Sequence, residues 1–184
     1  MNSTLASYAA SYRQANDEAE ALVQPLTAEQ FNWKPDATSW SVAECLVHLN
    51  TANAPYAAAI RERIAEGGPQ GQGPFRYGWF ARMFVKSIAP EGTLKMKTAP
   101  SMNPKASQHD KAAVLDEFNA INATLLEQVE RAEGLDVSKI RIASPFLKAM
   151  RLPVGAFLEA LAGHELRHLR QAQRVTEHPG FPKA

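Results

Sequence analysis

The sequence predicts an all-α protein, specifically a four-helix bundle with up-down-down-up topology and a long crossover between its second and third helices. Four long segments repeat apolar residues at intervals of three and four, which is the spacing of one helix face. Short connections join the first segment to the second and the third to the fourth, as expected for antiparallel neighbours. About 42 residues, from 67 to 108, separate the second segment from the third, and this length allows those two helices to run parallel.

The first long helix is predicted over residues 3–23, and Pro25 lies just beyond it. Its apolar face is formed by Leu5, Tyr8, Tyr12, Ala15, Ala19 and Leu22. Thr27 and Gln30 have the spacing of a capping box, in which each side chain accepts a hydrogen bond from the other residue's backbone N–H, and they predict a short helical turn. Residues 34–39 have the composition of a loop.

The second long helix is predicted to begin at Ser41 and to end near Glu66. Ser41 and Glu44 have the spacing of a second capping box. The apolar face of this helix is formed by Val42, Cys45, Leu46, Leu49, Ala52, Tyr56 and Ala59. Because Pro55 lies inside the helix and cannot donate a backbone hydrogen bond, we expect it to kink the helix or to divide it.

The crossover over residues 67–108 is predicted to contain one short helix. Residues 67–76 predict a loop, residues 77–88 a short apolar helix, and residues 90–105 an extended or irregular segment. Six large apolar residues occur within ten positions, which is more than a connecting segment needs: Phe75, Tyr77, Trp79, Phe80, Met83 and Phe84. We expect the short helix to cover the open end of the bundle, to form a homodimer interface, or to do both.

The third long helix is predicted over residues 109–132 and the fourth over residues 153–176, which open with a proline at the favoured first helical position. The segment over residues 135–150 favours neither helix nor strand as a whole. Within it, Ile140 and Ile142 suggest a short extended piece.

The composition limits the classes of function. The 20 Lys and Arg residues nearly balance the 19 Asp and Glu residues, and no run of five like charges occurs, so we expect no nucleic-acid partner. The single cysteine, Cys45, cannot form an internal disulfide, and the first residues lack the basic and apolar regions of a secretory signal. No apolar stretch is long enough for a membrane span. We therefore expect one cytoplasmic domain over residues 1–184 that acts on a small molecule.

Three histidines are predicted to lie on the buried faces of the second and fourth long helices. His164 and His168 are spaced i, i+4, so both imidazoles project from one helix face and can converge on one ion. His48 lies on the apolar face of the second helix. A lone buried histidine is more often hydrogen-bonded than ligating, but three buried imidazoles without partners would each cost about 1 to 3 kcal/mol. A shared divalent cation satisfies all three, whereas His109 and His178 lie outside the apolar stripes and are expected to be solvated.

The segment from His164 to His168 also spells HExxH, the motif of zinc proteases in which the glutamate is the general base. Metzincins place a glycine three residues after the second histidine and a third histidine six residues after it. Gln171 and Arg174 occupy those positions here, which disfavours the protease interpretation. We therefore expect His48 to be the third ligand.

Two motifs resemble those of the DinB-like superfamily. The segment WSVAECLVHL at residues 40–49 has a tryptophan before the helix start and a histidine on the second turn, and GHELRHLRQ at residues 163–171 carries the other two histidines. The order of the motifs and the long connection between them also agree, so the resemblance covers essentially the whole chain. It implies an up-down-down-up bundle that holds a divalent metal on His48, His164 and His168.

The resemblance also implies a range of activities. Characterised members of the superfamily include thiol-dependent enzymes, such as bacillithiol transferases and mycothiol-dependent maleylpyruvate isomerase. Three protein ligands leave at least one position open on an ion, where a water or a low-molecular-weight thiol can be activated. We therefore expect a thiol S-transferase or a hydrolase that acts on a small molecule. The alternative is a non-enzymatic metal-binding or stress-response bundle, in which a fourth protein ligand would close the site.

The predicted ligands do not choose the ion, because imidazole binds zinc, nickel, iron and copper alike. We expect zinc on grounds of availability, with nickel or iron as alternatives. Each ligand histidine should donate its other N–H to an acceptor, and the candidates are Glu44, Glu165, Asn16, Asn53 and Asn122. The competing interpretation is that both glutamates are surface charges, with Glu44 engaged in capping. No catalytic residue is assigned from the sequence.

Overall fold

A computed structural model of the chain describes residues 1–90 and 102–183. These residues form six helices and one two-stranded sheet, which confirms the predicted all-α class. The helices are α1 (Ser3–Val23), α2 (Ala28–Asn32), α3 (Val42–Ala65), α4 (Trp79–Ile88), α5 (Lys111–Arg131) and α6 (Val154–Thr176), and the strands are β1 (Arg141–Ala143) and β2 (Arg151–Pro153). Residues 91–101, which fall within the segment predicted to be extended or irregular, lie outside the described residues.

Both predicted capping boxes are present. At the start of α3, Ser41 Oγ accepts from the backbone N–H of Glu44 at 3.0 Å, and Glu44 Oε2 accepts from the N–H of Ser41 at 2.9 Å. Thr27 and Gln30 make the same reciprocal pair before α2. These bonds pair backbone N–H groups that a helix start would otherwise leave free. The first turn of α3, which leads to His48, is therefore fixed in place.

Pro55 lies inside α3, but the helix runs without a break from Val42 to Ala65. Of the two expected effects of Pro55, division of the helix is excluded, and the kink stays a prediction. Tyr56 and Ala57, on the far side of the proline, are buried, as are Ala52 and Asn53 before it. Tertiary packing on both sides of the proline compensates for the single backbone hydrogen bond that it removes.

The helices pack around two clusters of buried side chains. α3 contacts α5 and α6, α1 contacts the same two helices, and α4 contacts α6. One cluster includes Tyr12, Ile60 and Phe157, and the other includes Phe31 and Leu46. This packing brings the apolar face of α3 against that of α6, which is how side chains more than 100 positions apart in the sequence come into contact.

The two strands pair in an antiparallel manner, with Ile142 opposite Leu152, which confirms the short extended piece expected near residues 140–142. The proline predicted to be the first residue of the last helix instead ends β2 and stands at the N-cap of α6. The reason is a pair of backbone bonds, in which Val154 donates to the carbonyl of Ile140 at 2.8 Å and Gly155 to that of Val137 at 3.1 Å. These bonds tie the start of α6 to the strand region.

Two helix starts differ slightly from the prediction. Asp110 Oδ1 accepts from the N–H of Ala113 at 2.8 Å, so α5 begins at Lys111 rather than at residue 109. Tyr77 precedes α4, where its hydroxyl lies 2.5 Å from that of Tyr8 in the core. Among the helices of the described residues, none is both long enough and apolar enough to cross a membrane.

Candidate metal centre

His48, His164 and His168 lie together where α3 contacts α6. The Nε2 atoms of His48 and His164 are 3.3 Å apart, and one possible ligand atom from each of the three histidines lies within 4.8 Å of the others. In a tetrahedral zinc site with Zn–N distances of about 2.0 to 2.1 Å, neighbouring nitrogens are about 3.3 to 3.4 Å apart. The first pair already has this separation, and the group as a whole could hold a metal ion.

Trp40, which directly precedes the capping box of α3, packs on two of the histidines. Its ring stacks on His168 with a centroid distance of 5.8 Å and an interplanar angle of 26°. It also lies 5.0 Å from the ring of His48. Because an aromatic neighbour restricts the rotamers of both imidazoles, Trp40 orients them toward one another. The sequence contains this tryptophan in the first motif, but its contact with the histidines was not predicted.

The outer nitrogen of His48 is held by a backbone carbonyl. His48 Nδ1 lies 2.9 Å from the carbonyl oxygen of Met102, and because a carbonyl only accepts, Nδ1 carries the proton. The lone pair of His48 is then on Nε2, which faces His164. His168 Nδ1 is buried and has no hydrogen-bond partner among the described residues. Ligation of a cation, or a hydrogen bond to an acceptor, would satisfy this buried nitrogen.

Glu44 does not support a histidine. Its Oε2 accepts from the N–H of Ser41, and its Oε1 accepts from Lys34 Nζ at 3.0 Å. The competing interpretation of Glu44 as a capping residue is therefore confirmed, although the side chain is buried rather than on the surface. The acceptor for His48 is the carbonyl of Met102, which lies 54 positions away and carries no sequence signal.

Glu165 lies in the core, where both of its oxygens accept from asparagine amides. Asn53 Nδ2 donates to Oε1 at 2.6 Å, and Asn122 Nδ2 donates to Oε2 at 3.1 Å and to Asn16 Oδ1 at 2.7 Å. The three asparagines thus bond to Glu165 or to one another rather than to a histidine. Burial raises the pKa of Glu165 to about 8, although the two amide bonds act in the opposite direction. Glu165 is not among the residues that line the pocket at the histidines, so it is not placed to act as the general base of a zinc protease.

Burial keeps the three histidines neutral. It lowers the pKa of His164 well below its usual range, and the neighbouring His168 adds to this effect. For His168 burial lowers the pKa to about 3, with a further contribution from His48. Burial also lowers the pKa of His48, although the hydrogen bond to the Met102 carbonyl acts in the opposite direction. Neutral imidazole is the form that ligates a metal, so this donor set fits a divalent transition ion.

The histidines open onto a pocket of about 1020 Å³. One part of its lining is apolar and contains Tyr56, Phe84, Phe146 and Phe157, and another part is polar and contains Gln171, Arg174 and His178. The contribution of Phe84 agrees with the expectation that the short helix, α4, covers this part of the molecule. A pocket of this size is in the range that accepts small molecules.

The remaining two histidines lie outside this group. His178 is exposed, as expected, although it also packs on Trp33 with a centroid distance of 5.5 Å and borders the pocket. His109 is half-buried rather than fully solvated, because its Nε2 lies 2.9 Å from the carbonyl oxygen of Ala106 and its backbone N–H donates to Asn32.

Comparison with known proteins agrees with the resemblance carried by the two histidine motifs. No curated protein matches the chain. The family model of the DinB superfamily matches residues 11–172, a range that includes all three histidines and most of the chain. Because this match covers well over half of the chain, the chain belongs to the DinB superfamily.

Proposed function

We propose that the chain is a metal-dependent enzyme of the DinB-like type, which holds one divalent transition ion on His48, His164 and His168 and acts as a thiol S-transferase or hydrolase on a small molecule. The observation that carries this proposal is the convergence of three neutral imidazoles on the wall of an open pocket. Within the described ranges, no further histidine, cysteine or carboxylate joins the three. An open position is what separates catalytic from structural zinc sites.

The residues around the histidines have separate roles in this proposal. Met102 fixes the tautomer of His48 through its carbonyl, and Trp40 holds the rings of His48 and His168. A bound divalent ion would lower the pKa of a water or thiol that it coordinates. The guanidinium of Arg167 adds positive charge beside the histidines, which favours an anionic nucleophile over its neutral form. Zinc is the ion we propose, with nickel or iron as alternatives that the ligands also suit.

We also propose the finer architecture that accompanies this function. α1, α3, α5 and α6 would be the four helices of an up-down-down-up bundle, within one domain over residues 1–184. The contacts of α3 and of α1 with both α5 and α6 support this arrangement. The exposed side chains of α4 support a homodimer, in which Trp79, Phe80 and Met83 of two subunits meet.

A screen of the zinc-loaded protein tests the activity. The protein is incubated with several low-molecular-weight thiols and an electrophile, 1-chloro-2,4-dinitrobenzene, and in a second assay with p-nitrophenyl acetate as a hydrolase substrate. We expect turnover with at least one thiol or with the ester at about a hundredfold or more above the rate of the His48→Ala variant. His109→Ala is the matched control, because this histidine lies outside the group, and it should keep the full rate.

Equal rates for the wild-type protein and His48→Ala in all of these assays would contradict the enzymatic proposal. That result, combined with retention of the ion, would favour the alternative of a non-enzymatic metal-binding bundle.

A further inference from the structure

The residues of α6 that line the pocket change from apolar to charged along the helix. Phe157 and Leu161 are apolar, His164 and His168 follow, and Arg174 lies closer to the end of the helix. Successive members of this series are four, three, four and six positions apart, and all of them line the pocket. At 1.5 Å per residue, Arg174 is about 9 Å beyond His168 along the helix axis, and Phe157 is about 10 Å before His164. The histidines thus lie between an apolar end and a cationic end.

The cationic end is formed by Arg174, and Arg167 lies seven positions earlier on α6. Arg174 is exposed, and no carboxylate within the described part of the chain forms an ion pair with it. Its charge reaches the histidines, since it contributes to the lowered pKa of His168. Arg167 is half-buried beside the same pocket and donates Nη1 to the carbonyl of Ser87 at 2.9 Å.

The acidic side chain among the pocket residues that the structure describes is Asp36. Its Oδ1 accepts from the backbone N–H and hydroxyl of Thr38, both at 2.7 Å, and from the N–H of Ser39 at 2.9 Å, while Oδ2 accepts from the hydroxyl of Ser39 at 2.6 Å. These four bonds fix the carboxylate within its own turn. The described lining therefore places no free carboxylate against Arg174, whose positive charge favours an anionic ligand.

The apolar end is built from aromatic rings. Phe157 lies 4.9 Å from Tyr56 and 5.8 Å from Phe84, measured between ring centroids. Leu147 lies at this end too, because its backbone N–H donates at 3.2 Å to Ser144 Oγ, which lies 2.7 Å from the hydroxyl of Tyr56. Of the surface of Leu147, 58% is exposed. An exposed leucine beside buried aromatic rings provides a surface that an apolar ligand group can cover.

From this order we infer that the pocket binds an amphiphilic carboxylate, with its carboxylate at Arg174, its hydrocarbon chain against Phe84 and Leu147, and its reacting group beside the histidines. This inference deepens the proposed function and rests on it for the chemistry, but the binding mode stands on Arg174 and the apolar end alone. A guanidinium binds a carboxylate through two parallel hydrogen bonds, whereas a neutral amide lacks the charge. A longer chain buries more apolar area, so affinity should rise with chain length.

Isothermal titration calorimetry with three probes tests the charged end. Decanoate should bind at least tenfold more tightly than decanamide, which has the same chain without the charge, and at least tenfold more tightly than hexanoate. Arg174→Gln should weaken decanoate binding about tenfold and leave decanamide unchanged, and Arg174→Lys, which keeps the charge but not the paired donors, should weaken decanoate less than Arg174→Gln does. Arg131→Gln removes an exposed arginine of α5 outside the pocket and is the matched control.

The apolar end is tested with Phe84→Ala and Leu147→Ser, each of which should weaken decanoate about three- to tenfold and hexanoate less. Phe80→Ala is the matched control, since Phe80 lies four positions earlier on α4 and does not line the pocket. Leu147→Ser keeps the test valid if Phe84→Ala does not fold, because Leu147 is largely exposed. Equal affinity for decanoate and hexanoate would overturn the inference.

Repeating the titrations on protein stripped with a chelator separates the two proposals. The preference for decanoate over decanamide, which depends on Arg174, should survive removal of the metal. The same preference is expected even if the protein binds no ion. Decanoate binding that disappears with the metal and is unaffected by Arg174→Gln would overturn the inference while leaving the proposed metal centre intact.

Discussion

Asn53 on α3 donates its side-chain amide to Glu165 on α6 at 2.6 Å, in the core beside the candidate metal centre. Asn122 on α5 binds the other oxygen of the same carboxyl and also reaches Asn16 on α1. One buried carboxyl thus joins side chains from all four of the long helices. Because an unpaired polar group in the core costs about 1 to 3 kcal/mol, this network specifies how the helices meet.

Replacement of Glu165 should therefore lower stability without removing a metal ligand. Glu165→Ala leaves two amides without their acceptor and should cost about 3 kcal/mol or more of the free energy of unfolding. Glu165→Gln keeps the shape of the side chain and offers one acceptor. Because the raised pKa of about 8 leaves the native carboxyl protonated at neutral pH, this neutral replacement should cost only about 1 kcal/mol of the free energy of unfolding. Urea denaturation measures both values. A Glu165→Gln protein of normal stability that lost its metal would contradict this account.

The single cysteine should be unreactive in the native protein. Burial raises the pKa of Cys45 from 9.0 to about 12, with a further contribution from the carboxylate of Glu44. A rise of three pKa units lowers the thiolate fraction at pH 8 about a thousandfold, and only the thiolate is nucleophilic. We expect the reaction with Ellman's reagent at pH 8 to be at least about a hundredfold slower in the native protein than in denaturant. Rapid native labelling would show that Cys45 is accessible and could itself serve as a nucleophile.

The features that the sequence predicted well depend on local pattern. The reciprocal bonds of Ser41 and Glu44 join residues three positions apart, and the i, i+4 spacing of His164 and His168 places both on one face. His48 was predicted to join them because it lies on the apolar face of another long helix. The family resemblance supplied the same three residues.

The features that were missed depend on contacts between distant parts of the chain. The carbonyl of Met102 accepts from His48 across 54 positions, and a backbone carbonyl has no residue-specific signature. Pro153 ends a strand because residues near position 140 bond to the start of α6, which a helix-start signal alone does not reveal. Glu165 has the spacing of a protease base, yet tertiary packing places it among asparagines in the core.

Self-association should depend on α4. Trp79 is 69% exposed, Phe80 60% and Met83 47%, whereas Tyr77 and Phe84 contribute to the core. Burial of such a patch between two copies would stabilise a dimer. Sedimentation equilibrium at micromolar concentration should give twice the monomer mass of 20.2 kDa, and Trp79→Ser combined with Phe80→Ser should restore the monomer. Leu147→Ser, which removes an exposed apolar side chain at the pocket, is the control and should leave the dimer unchanged. A wild-type monomer would rule out this interface.

The metal content of the purified protein shows whether His48, His164 and His168 hold an ion. Wild-type protein prepared without an affinity tag or chelator, supplied with excess zinc and dialysed, should contain about one ion per chain by inductively coupled plasma mass spectrometry. His168→Ala should lose the ion, because two imidazoles hold a divalent ion much more weakly than three, and His109→Ala should retain it. A metal site on these three histidines would be contradicted by wild-type protein that holds no divalent ion after this treatment, or by a folded His168→Ala protein that keeps a full equivalent.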